Sequence, residues 1–149
     1  MSVVPERFTF DSEAILAFYL GEEGGDFVRD LLEQVRSGAA EGYISIINLA
    51  EIYYILIRVS RELAEEKQSN LRMFGLKVVP VKDDGLWREA ALVKAEHSVS
   101  LADAFAVATA QAFKSKLVAG SDREFRKLKL KIELLRIREF TSSLSRNNR

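Results

Sequence analysis

A chain of 149 residues, 48% of them hydrophobic and 30% charged, has the length of one domain and the material for a core, which excludes bulk disorder. It has no Cys and a single His, which excludes disulfides, thiol chemistry and a zinc site built from Cys and His. Net charge is zero but unevenly spread: residues 112–149 hold 11 Lys+Arg against 4 Asp+Glu, whereas residues 1–111 hold 11 against 18, so the basic C-terminal third reads either as a solvated surface or as a patch that meets phosphate.

In chain order, RFTF (Arg7–Phe10) reads as a short strand that ends at Asp11. Ser12 to Leu20 reads as a helix stopped by Gly21, and Gly25 to Ser37 as a second, with apolar Phe27, Leu31, Leu32 and Val35 and a stop at Gly38. GYISI (Gly42–Ile46) is a strand. A helix follows from Asn48 to about Arg58, with Asn48 and Glu51 at capping-box spacing. Arg61 to Phe74 is a helix stopped by Gly75. LKVVPV (Leu76–Val81) is a strand, which Pro80 limits to a sheet edge or a strand end.

Asp84 to about Glu96 is a helix. Ser100 caps the next one, SLADAFAVATA, which apart from Asp103 is almost wholly apolar or small and so has no wet face. KLVAG (Lys116–Gly120) is a strand, Asp122 to Lys127 a turn or short helix, and KIELLRI (Lys131–Ile137) a last strand. The polar tail TSSLSRNNR is expected to fray. The expected organisation is therefore a single domain over residues 1–140 and a polar tail over 141–149.

Strands alternating with helices imply a three-layer α/β/α fold around a mostly parallel sheet. No apolar run reaches about 18 residues, so no transmembrane helix is expected. The N-terminus MSVVPERF lacks the layout of a signal peptide. With the absence of Cys, this fits a cytoplasmic protein. His97 lies in the polar stretch KAEHSVS and reads as a surface or cap residue.

The acids carry the chemistry. Asp11 follows the first strand, Glu51 sits in the first turn after the second, Asp122 lies two residues past KLVAG, and Asp103 is in the first turn of the apolar helix. Loops at the carboxyl ends of parallel strands share one edge, where ligands bind, so the four carboxylates are expected to converge there. Singly, Asp11, Glu51 and Asp122 each read more readily as helix caps. Asp103 does not, because a charge among apolar neighbours needs compensation. A divalent cation compensates all four at once, and oxygen donors select Mg²⁺ or Mn²⁺. No Gly-rich phosphate loop is present, so a nucleic-acid phosphodiester is the expected substrate rather than a free nucleotide.

At these residues the chain resembles the PIN-domain family, and within it the VapC-like toxin ribonucleases. The resemblance runs from about Arg7 to Phe125. It rests on FDSEAIL, NLAEIYY, SLADAFAVATA and SDREF in that order and spacing. It implies a metal-dependent endoribonuclease whose acidic quartet is Asp11, Glu51, Asp103 and Asp122. It also implies a homodimer and a small antitoxin whose tail occupies the cleft. Ser12 matches a small hydroxyl beside the first Asp, and Glu124 a further acid that the family sometimes has.

Two departures stand out. Gly120 replaces a Thr two residues before the last Asp, with Ser121 able to supply the hydroxyl, and Glu13 sits where a small polar residue is more usual. The alternatives are a PIN fold that grips RNA or a protein without cutting, and a response-regulator-type signalling domain. The second lacks the adjacent acid pair that such a domain gathers after its first strand. In IYYILI (Ile52–Ile57) the apolar residues cover more than one helix face, so part of this helix is expected at a subunit interface.

Overall fold

The computed structural model describes residues 4–120 and 132–140. Asp122, Ser121, Glu124 and the tail 141–149 lie outside the described residues.

Five strands form one parallel sheet: β1 (Glu6–Phe10), β2 (Ala40–Ser45), β3 (Lys77–Val79), β4 (Lys116–Ala119) and β5 (Leu134–Arg136), in the order β3-β2-β1-β4-β5. The helices are α1 (Ser12–Leu20), α2 (Gly25–Arg36), α3 (Ile46–Ile57), α4 (Arg61–Met73), α5 (Asp84–Glu96) and α6 (Leu101–Ala112), with a helical turn at 137–140. This is the α/β/α architecture expected from the alternation. β3 is an edge strand that ends at the residue before Pro80, which lacks the N–H that a continued ladder would need.

Strand alternation makes the layers. On β1, Phe8 and Phe10 point into a core completed by α1, α2, α3 and α4, and Val118 of β4 points the same way. Leu117 and Ala119 of β4 point to the opposite face, where they meet α5 and α6. In α2, Val28, Leu31, Leu32 and Val35 form the buried stripe while Asp26, Asp30 and Glu33 stay in water. Burying each such side chain contributes roughly 1.5–3 kcal/mol.

α6 has every residue from Asp103 to Ala110 buried. It lies between the sheet and α5, and Ala104, Ala106, Ala108 and Ala110, all 0–1% exposed, let its neighbours come close.

The strand expected over Gly42–Ile46 runs Ala40–Ser45, the one expected over Leu76–Val81 runs Lys77–Val79, and the last is Leu134–Arg136, with Ile137 already in the helical turn. α3 begins at Ile46, not Asn48, and its cap is Ser45, whose hydroxyl accepts from the Ile47 amide at 3.1 Å. The chain turns from strand to helix without a loop, so the last residue of β2 is already the cap. Asn48 and Glu51 therefore form no capping box, and Glu51 stands in the second turn rather than the first. No helix among the described residues is long and apolar enough to cross a membrane.

Candidate active site

The strand order reverses between β1 and β4, with β2 and β3 on one side and β5 on the other. At such a switch point the loops leaving two neighbouring strands diverge and open a crevice at their carboxyl ends. Asp11 leaves β1 there and Gly120 leaves β4.

Asp11 is 1% exposed. It caps α1, and one of its carboxylate oxygens accepts from the Ala14 amide at 2.7 Å. The Gly120 amide donates to both oxygens at 3.2 Å. Gly120 lies so close to α1 that an added Cβ would fall 2.6 Å from Glu13 Cβ and 2.9 Å from the Ala14 nitrogen. The departure from Thr at this position thus has a steric cause, the close packing of β4 on the first turn of α1.

Burial pushes the Asp11 carboxyl up to about 7. The Ala14 and Gly120 N–H groups oppose that rise, and the charges of Glu13 and Glu51 add to it. Glu51 is half-buried on α3. No Lys or Arg pairs with Asp11 among the described residues.

Asp103 is 9% exposed, and its amide is held by the Ser100 hydroxyl at 3.1 Å. The link between its helix and the other acids is Asn48, which is fully buried. Asn48 Nδ2 donates to Ser12 Oγ and to the Ala102 carbonyl, both at 3.1 Å. Ser12 Oγ in turn donates to the Asn48 carbonyl at 3.2 Å. The starts of α1, α3 and α6 are thereby joined. Asn48 Oδ1 has no partner among the described residues, a deficit that typically costs about 1–3 kcal/mol for a buried acceptor.

Of the expected site residues, Asp11 and Ser12 open α1 at this edge, Asp103 follows Ala102, whose carbonyl is bound by the same amide as Ser12, and Glu51 lies three residues beyond Asn48 on α3. Asn48, which reads as a cap in the sequence, proves to be their connector. His97 ends α5 as its C-cap, as expected.

The acids expected here offer oxygen donors, and the buried Asp11 carboxylate has no cationic partner among the described residues. That chemistry fits a hard divalent ion. Among the described residues no three His, Cys, Asp or Glu side chains are grouped closely enough to hold one by themselves. Asp122, the fourth expected donor, lies outside them.

A cavity of about 340 Å³ opens beside this edge, lined by Glu13, Gly120 and Arg138 and by Leu16, Ala17, Leu20 and Ile55 along α1 and α3. Larger cavities lie at the amino ends of β1 and β4, beside Glu6, Arg7 and Lys116, and against the first turn of α5. Neither includes any of the expected acids.

The family model for the PIN domain matches residues 8–131. No curated protein matches the chain. Solved structures share the fold. VapBC2 from Rickettsia felis, bound to a DNA fragment from its promoter, is 16% identical with a TM-score of 0.69, over 87% of this chain and 98% of that one. DNA-bound VapBC from Salmonella typhimurium is 19% identical with a TM-score of 0.68, over 89% and 98%. FitAcB from Neisseria gonorrhoeae is 16% identical with a TM-score of 0.64, over 87% and 97%.

Proposed function

The chain belongs to the PIN-domain family, and from that premise we propose that it is a metal-dependent endoribonuclease, the toxin of a toxin–antitoxin pair. The observation that carries this is the Asp11 carboxylate, buried at the sheet's switch point and without a cationic partner among the described residues. Asp11, Asp103 and Asp122 would hold Mg²⁺ or Mn²⁺, and Glu51 would complete the set or orient a water. The chemistry such an ion supplies is neutralisation of charge on the phosphodiester and activation of water.

The chain's own residues do the rest. The Ala14 and Gly120 amides fix the Asp11 carboxylate in one orientation. The basic C-terminal third attracts the RNA backbone.

An antitoxin partner is supported by the fold neighbours, which include VapBC and FitAcB assemblies and a toxin–antitoxin complex from Klebsiella pneumoniae. The groove along α1 offers apolar Leu16, Leu20 and Ile55 to such a partner. A homodimer is proposed through the outer face of α3, where Tyr54 is 48% exposed under the Arg58 guanidinium. Sedimentation tests it.

A PIN fold that binds RNA or a protein without cutting is the second reading. Incubation of purified protein with an RNA pool, with Mn²⁺ or with a chelator, beside Asp11→Asn, separates the two. Products that need the ion and Asp11 support the nuclease.

A further inference from the structure

We propose that Asn48 is a positioning residue for the acidic edge, its amide holding the Asp11 turn of α1 and the Asp103 turn of α6 at a fixed separation. This rests on the reading of that edge as an ion-binding nuclease site.

The geometry is specific. Ser12 directly follows Asp11 and Ala102 directly precedes Asp103, so each of the two Asn48 Nδ2 hydrogen bonds ends one residue from an acid. The acids come from segments 92 positions apart in the chain, and α3 stands between them. α3 is a firm reference because Leu49, Ile52 and Leu56 anchor it in the core. Ala102 O is a carbonyl and can only accept, which fixes the Nδ2 end of the amide toward α6. The return bond from Ser12 Oγ to the Asn48 carbonyl makes the α1 link reciprocal.

A hydrophobic residue at position 48 would fill the same space and leave the core intact. It would also release both acidic turns. The bridge therefore acts on the placement of the two carboxylates, as the partners of ligating side chains do in metal sites.

The test compares wild type, Asn48→Ala, Ser12→Ala and the double variant as full chains. Mn²⁺ binding is titrated by the paramagnetic resonance of the free ion, RNA cleavage is measured against Mn²⁺ concentration, and ion-free melting checks the fold. Asn48→Ala should weaken Mn²⁺ binding about 10-fold or more, with cleavage largely recovered at saturating Mn²⁺. Ser12→Ala, which removes one link of the two, should shift binding less. The double variant should bind no more weakly than Asn48→Ala, because both changes act through one bridge.

A folded Asn48→Ala protein that binds Mn²⁺ within about twofold of wild type, well short of the usual loss, would overturn the proposal. So would lost cleavage that saturating Mn²⁺ does not restore. If Asn48→Ala does not fold, unchanged Mn²⁺ binding by Ser12→Ala overturns it instead. Wild-type protein that binds no Mn²⁺ would remove the nuclease reading beneath, and this proposal with it.

Discussion

The Gly120 amide donates to both carboxylate oxygens of Asp11 at 3.2 Å, so the end of β4 is tied to the end of β1 by the residue that the site depends on. The tie is possible because nothing projects from Gly120. Gly120→Ala would place Cβ 2.8 Å from the Glu13 carbonyl carbon, against backbone that cannot swing aside. The expected loss is about 1–3 kcal/mol of stability, as for other overpacked sites, measured by urea unfolding, together with reduced cleavage.

Asp11 also gives the ion-free protein a pH signature. Its folded value, about 7, lies above the ordinary 3.8. The proton is held more tightly in the folded state, so this group's contribution to stability is full below about pH 4 and is lost as pH rises through about 7. The difference is on the order of 4 kcal/mol at high pH. Between pH 5 and 8, ion-free wild type should lose stability relative to Asp11→Asn in paired urea titrations. Parallel curves would contradict the burial of this carboxylate.

Adding Mn²⁺ at pH 7 to 8 should reverse that loss in wild type, because an ion bound to the ionised form stabilises the fold by mass action. Melting temperature should rise with Mn²⁺ in wild type and stay nearly flat in Asp11→Asn. Glu51→Gln should lower the pH at which Asp11 titrates, since the Glu51 charge raises it.

α6 has no room to grow. Ala106 is fully buried in a helix that lies between the sheet and α5. Ala106→Leu should cost about 1–3 kcal/mol in chemical unfolding, against near-neutral behaviour for Leu92→Ala. Leu92 is 52% exposed on α5.

The sequence made most elements readable for identifiable reasons. Gly21, at φ 68°, stops α1, and Ser100 caps α6, both local signals that tertiary packing had no reason to override. Asn48 matches a capping pattern that would start α3 two residues late, while Ser45, the true cap, is hidden as the last residue of a strand. Asp11 and Asp103 were legible from their position and from their apolar neighbours. Asn48 and Gly120 were not, because their roles are contacts with residues 36 to 109 positions away in the chain. Spacing patterns do not encode such contacts.

The most direct test of the account is cleavage of a mixed RNA pool by purified full-length protein freed of co-purifying partners, with Mg²⁺, with Mn²⁺ and with EDTA, beside Asp103→Asn. The account predicts discrete products with either ion, none with EDTA, and none from the folded Asp103→Asn protein. Equal cleavage by Asp103→Asn, or RNA binding with no product under either ion, would contradict it.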